Sequence, residues 1–259
     1  QLIFIRGVFA VLLLLAIAHR LGALRHWRML LGGRVLLRAG FDAFATMAYL
    51  TSLFHLPLAN ATAINMATPL FITLFAVIAW RERVGPHRWA AIATGFLGVL
   101  LVVQPSQAGF NAYALLCLGG TLLHAARDIT TRALDPRIPS LLVTLSTALA
   151  VTVLAGAWGL GAGEWKPVQP GQWALLAAAS VFLSGGYFLL TVAMRAGEVS
   201  VIAPFRYTAL LFAIVLGFVV WGDAPNALAW AGIALLVGAG IAVLHGGRRG
   251  RQELEPIPD

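Results

Sequence analysis

Ala43 to Trp80, Trp89 to Ala126, Ile138 to Gly163, Pro167 to Met194 and Ala224 to Gly247 contain no Asp, Glu, Lys or Arg. Each run is long enough for a helix of about 20 apolar residues, the length that crosses a bilayer. Divided at proline, glycine and charged clusters, with one internal turn in each double-length run, the pattern predicts nine helices. Their spans are 1–19, 36–55, 59–80, 87–104, 111–132, 139–160, 171–195, 199–221 and 226–245.

Composition points the same way. The chain is 60% hydrophobic and 11% charged, where a soluble domain carries about 25% charged residues. The net charge of +8 does not imply nucleic acid, because the arginines lie between apolar spans rather than on one basic face. Cys117 is the only cysteine, which excludes an intramolecular disulfide and a thiolate metal cluster. In Gln1 to Ala18 the basic residues His19 and Arg20 follow the apolar stretch, so this segment reads as a membrane helix rather than a cleavable leader.

All 18 basic residues except Arg6, Lys166 and Arg206 fall in alternate gaps between spans or in the tail. Arg20, Arg25, Arg28, Arg34 and Arg38 form the first group, then Arg81, Arg83 and Arg88, then Arg127, Arg132 and Arg137, then Arg195, and finally Arg248, Arg249 and Arg251. Basic loops remain in the cytoplasm, so the alternation sets a topology with a cytoplasmic C-terminus. The eight tryptophans fall at helix ends or in connections, as an aromatic belt at headgroup depth requires.

A shift of 141 residues lays Trp80 on Trp221, Glu82 on Asp223 and Trp89 on Trp230. Five helices per repeat would invert the second copy, a common plan in secondary transporters. The same shift leaves the helix at 111–132 without a partner in the first half. The natural protein is therefore expected to carry about 30 further residues before Gln1, one span and a turn.

Leu56-Pro-Leu-Ala-Asn-Ala-Thr-Ala-Ile64, Pro69, Trp80-Arg-Glu-Arg-Val-Gly85, Trp89 and Gly95-Phe-Leu-Gly98 are echoed by Gly197-Glu-Val-Ser-Val-Ile202, Phe205-Arg-Tyr207 and Trp221-Gly-Asp-Ala-Pro225. With these motifs the chain resembles the EamA-type permeases of the drug/metabolite transporter superfamily. The resemblance implies an all-α integral membrane protein of two inverted five-helix repeats, nine of the ten helices being present. The repeats are 1–105, lacking its first helix, and 106–247, followed by a tail at 248–259. It further implies cytoplasmic termini and a central cavity open to each side in turn. Asp223 stands where the family usually has Glu.

Ionisable groups in hydrocarbon cost at least about 2.5 kcal/mol each, so each needs a reason. Arg6 lies about 18 Å along a helix from Ala18, near the midplane. Arg6 or Arg206 could bind an anionic substrate group, since guanidinium suits carboxylate and phosphate. Alternatively Arg206 bridges to Asp42 and Arg6 snorkels. Arg38 lies one turn from Asp42, which favours a structural pair. His124 and Asp128, at i and i+4, could relay a proton; otherwise Arg127, Asp128 and Arg132 form an interfacial ion-pair network. Asn65 and Thr68 before Pro69, and Ser184, Tyr187 and Thr191 in the second half, could line a path or tie helices together. Tyr207 has the same two readings as Tyr187. For Gly95, Gly98, Gly119, Gly120, Gly238 and Gly240, close helix packing is expected.

The function these residues imply is an inner-membrane secondary transporter that moves a small polar metabolite, such as an amino acid, outward by exchange or with protons. The resemblance also admits uptake of a vitamin or nucleoside-like compound, riboflavin or S-adenosylmethionine, and flipping of a lipid intermediate is a third reading. Neither a phosphate loop nor His-Glu-x-x-His nor Gly-x-Ser-x-Gly occurs, so no ATP-driven or hydrolytic chemistry is indicated. No cofactor or metal is implied, the partners are the lipid bilayer and a small solute, and the oligomeric state, a monomer included, is left open by the sequence.

Overall fold

The computed structural model describes residues 1–80, 86–103, 112–163, 165–196 and 208–252. Helices α1 (Leu2–Arg20), α2 (Gly33–Leu53), α3 (Leu58–Asn65), α4 (Thr68–Trp80), α5 (Pro86–Val103) and α6 (Ala112–Arg132) are followed by α7 (Ser140–Ala162), α8 (Pro170–Ala196), α9 (Thr208–Trp221) and α10 (Ala227–Gln252). A 3-10 segment, Ala23–Leu31, kinked at His26 (φ −100°, ψ 18°), joins α1 to α2.

Local chemistry sets the ends. Gly22, Gly163 and Gly222 take positive φ after α1, α7 and α9, the left-handed conformation that closes a helix at little cost only for glycine. Asn226 Oδ1 accepts the Ala229 N–H at 2.8 Å and caps α10. Pro57 and Pro139 precede α3 and α7.

Eight of the expected spans appear as single helices, with two differences at their ends. The start of the span expected at 199–221 lies outside the described residues, and α10 runs to Gln252 rather than 245 because the Gly246-Gly247 pair weakens a helix by only about 1 kcal/mol per glycine. The span expected at 59–80 is two helices. Pro69 has no N–H for the carbonyl of Asn65, four residues back. The Thr68 hydroxyl donates to that carbonyl instead, at 2.6 Å. The Ala67 N–H closes a tighter turn onto Ile64 O at 3.0 Å.

By length and composition three helices are apolar enough to cross a membrane: Leu2–Arg20, Ser140–Gly161 and Pro170–Ala193. The apolar stretches in α4, α5, α9 and α10 are shorter among the described residues. Helices α2 and α6 have 21 residues each, but Arg34, Arg38 and Asp42 dilute the first and Arg127, Asp128 and Arg132 the second.

The chain forms two compact units, residues 1–47 with 126–196, and residues 48–125 with 197–259. Each draws on both sequence halves. In the first, α1 packs on α7 and α8 around Leu14, Ala18, Leu141, Leu142 and Leu145. A Cβ on Gly156 would lie 2.9 Å from the Phe4 ring, and one on Gly7 would strike Thr152. Low numbers on α1 therefore meet high numbers on α7, and the two run antiparallel.

In the second unit α5 packs along α10, over a core that includes Ile64, Leu70, Phe71, Ile92, Val99, Leu210 and Leu236. A Cβ on Gly98 would lie 2.7 Å from Gly232 O, and one on Gly232 would lie 2.6 Å from Gly98 O. Only glycine permits that approach. Gly95 meets Leu70 and Ala239, whereas Cβ atoms on Gly119 and Gly238 would meet nothing within 4 Å, so packing accounts for the first and not for the other two.

Candidate functional site

Buried polar side chains gather in each unit. In the first, α2 supplies Arg38 and Asp42, α6 supplies Arg127, Asp128 and Thr131, and α8 supplies Tyr187. Arg127 Nη1 lies 2.8 Å from Asp42 Oδ1 and its Nη2 lies 2.7 Å from Asp128 Oδ1, with the three side chains no more than 4% exposed. Arg127 Nε also donates to Asp128 Oδ1 at 2.9 Å. Buried charges persist only when paired and hydrogen-bonded in this way.

The Tyr187 hydroxyl donates to Asp42 Oδ1 at 3.4 Å, and the Arg127 guanidinium carbon stands 5.8 Å from the Tyr187 ring centre, a cation–π distance. Arg38, also buried, donates from Nε to Thr131 Oγ1 at 2.9 Å and from Nη1 to Val143 O at 3.5 Å and to the Thr147 hydroxyl. Two arginines and two aspartates thus balance in charge.

Arg6 is half-buried on α1 and within electrostatic reach of the Tyr187 phenol. Its backbone carbonyl accepts the Ser180 hydroxyl at 2.8 Å. Among the described residues no carboxylate pairs with its guanidinium. Thr191 and Ser184 are buried on α8, and Arg132 is exposed at the end of α6.

In the second unit the break between α3 and α4 organises the polar groups. His124 Nδ1 lies 2.9 Å from Asn65 Oδ1. The Tyr49 hydroxyl lies 3.3 Å from Thr62 Oγ1, and its ring centre stands 6.3 Å from that of His124. The Cys117 thiol points at Ala61 O, 3.6 Å away, as a packed neutral group.

The expected site residues therefore divide. Tyr187, Asp42, Arg127 and Asp128 come together, with Arg6 nearby; Asn65, Thr68 and His124 come together separately. His124 bonds to Asn65, and Asp128 to Arg127. Arg206 and Tyr207, and with them the expected Arg206–Asp42 bridge, lie outside the described residues. Tyr49, Thr62 and Thr147 were not anticipated. Tyr49 follows Asp42 by seven residues, two turns on one helix face, and that spacing was the signal available.

Long apolar helices with a buried arginine–aspartate cluster between them have the character of a multi-pass membrane protein. The EamA-like transporter family model matches residues 1–104 and again 111–244, and the chain belongs to that family. It is similar to a riboflavin transporter of Rhizobium johnstonii, 31% identical over 92% of this chain and 78% of the relative. It is also similar to a pseudopaline exporter of Pseudomonas aeruginosa, 28% identical over 81% of this chain and 74% of the relative. A solved crystal structure shares the fold with a TM-score of 0.63 at 20% identity, covering 96% of this chain and 87% of its own.

Proposed function

We propose that this chain is a secondary transporter of the bacterial cytoplasmic membrane, moving a small polar metabolite by alternating access between two inverted repeats, with its C-terminal tail in the cytoplasm. Two observations support the inversion. The family model matches twice in succession, and α1 and α7, like α5 and α10, are pairs about 141 residues apart that pack together. Members of each pair run antiparallel, as equivalent helices of an inverted repeat do when they meet.

The observation that carries the cargo reading is Arg6. Its charge stands on an apolar helix beside a cluster already balanced, without an acidic partner among the described residues. A carboxylate on the substrate would supply one, and Tyr187 and Thr191 would complete the polar lining. This favours an amino acid or related acid, moved outward. Asn65 and Thr68 are further polar groups proposed for cargo binding, and His124 with Asp128 is the proposed route for a coupled proton.

A second reading, uptake of a flat heterocyclic vitamin, is favoured by the name of the Rhizobium johnstonii relative. Counterflow in sealed proteoliposomes, with labelled amino acids and labelled riboflavin in parallel, distinguishes the two. Exchange of an acidic amino acid that is lost in Arg6→Gln and partly kept in Arg6→Lys supports the first reading. Exchange of riboflavin alone replaces it, and flux indifferent to Arg6→Gln removes Arg6 from the path.

A further inference from the structure

We propose that the segment from Arg20 to Leu31 is a binding site for anionic phospholipid headgroups, independent of the transport path. Gly22 turns the chain off the end of α1 at φ 67° and into the 3-10 helix. One side of that helix is fixed to the first unit: Ala23, Leu24 and Leu30 pack on the cluster formed by α1 and α7, and Met29 packs against the cluster containing Val35. Arg25 and Arg28 on this segment and Arg20 at the end of α1 are all exposed, together with Leu21, Trp27 and Leu31 at 72%, 52% and 63% exposure.

Charge complementarity identifies the occupant. No Asp or Glu occurs before Asp42, and Asp42 is occupied by Arg127. Among the described residues, no ion pair engages Arg20, Arg25 or Arg28. Arg34, by contrast, already donates to Ala133 O at 3.2 Å and is not part of the site.

A cytoplasmic arginine used only as a topological signal needs no defined structure. Here the arginines are held on a folded segment, with the Arg28 guanidinium carbon 6.0 Å from the Trp27 ring centre. Exposed leucine and tryptophan beside them are the side chains that enter the headgroup and acyl boundary. Such a face meets lipid phosphate with its cations and acyl chain with its apolar groups.

The test uses the full chain purified in neutral detergent, with phosphatidylglycerol or phosphatidylcholine added. Native mass spectrometry counts retained lipid, and tryptophan fluorescence gives the unfolding midpoint. The parent protein is expected to retain phosphatidylglycerol in preference and to gain stability from it, with both effects lost at high salt. In the Arg20→Gln, Arg25→Gln, Arg28→Gln triple variant the preference should fall at least about fivefold. The corresponding triple lysine variant should keep most of it. An undiminished preference in the glutamine variant overturns the proposal, and so does an equal stabilisation by inorganic phosphate. Circular dichroism of the glutamine variant confirms that its helices are retained.

Discussion

His124 Nδ1 stands 2.9 Å from the Asn65 side-chain oxygen, which ties α6 to the last residue before the break between α3 and α4. An imidazole N–H at Nδ1 can donate to this amide oxygen whether the ring is neutral or protonated, so the bond fixes the ring in place. Tyr49 approaches from α2 and the neutral Cys117 thiol lies two turns earlier on α6.

Proton coupling through His124 would make transport by the parent protein depend on pH. His124→Gln keeps a donor for Asn65 and removes the titration, and is expected to flatten the profile in proteoliposomes while leaving flux measurable. An unaltered profile would take His124 out of proton coupling.

The helix break yields a second expectation. Pro69→Ala returns an N–H to the position facing Asn65 O and should lengthen α3 into α4, while Thr68→Val removes the hydroxyl now serving that carbonyl. The valine variant is expected to lose about 1 kcal/mol, read as a lower unfolding midpoint. Pro69→Ala should retain stability but slow transport if the break works as a hinge. Unchanged rates in Pro69→Ala would make the break a packing feature alone.

Much of the fold was legible because lipid imposes its demand residue by residue along each span: uncharged runs, glycine and proline stops, and tryptophans at the ends. Trp27, Trp89, Trp158, Trp165, Trp173, Trp221 and Trp230 are all exposed. The pairing of charges was not legible. Asp42 and Arg127 are 85 positions apart, and nothing local distinguishes Arg127 from Arg38, one turn from Asp42, as the closer partner. Pro69 signalled a freed carbonyl in the sequence, but whether the helix kinks or divides depends on the hydroxyl of Thr68. The 3-10 helix at Ala23–Leu31 has too few residues between arginines to show a helical period.

The approach of α5 to α10 predicts a sharp size limit. Gly98→Ala and Gly232→Ala each place a methyl group within 3 Å of backbone, which has no rotamer to yield, and each should cost about 1–3 kcal/mol. Gly119→Ala meets open space and should be neutral or stabilising by up to about 1 kcal/mol. Thermal unfolding in detergent compares the three. Equal midpoints for Gly98→Ala and Gly119→Ala would refute the close contact.

The Arg127 cluster makes the most demanding prediction, because its three charges cannot be removed singly. Arg127→Met keeps the volume but leaves the two buried carboxylates of Asp42 and Asp128 facing the single buried charge of Arg38, at an expected cost of about 3–5 kcal/mol. Arg127→Lys restores the charge without the fork that reaches both carboxylates, and should recover only part of the loss. Adding Asp128→Asn to Arg127→Met removes the excess negative charge and leaves Asp42 with Arg38. The double variant should therefore be more stable than Arg127→Met alone, although two polar groups have been altered instead of one. If it is less stable, hydrogen bonds from the carboxylates to other groups outweigh their pairing with Arg127, and the guanidinium is not what holds α2 and α6 together in this unit.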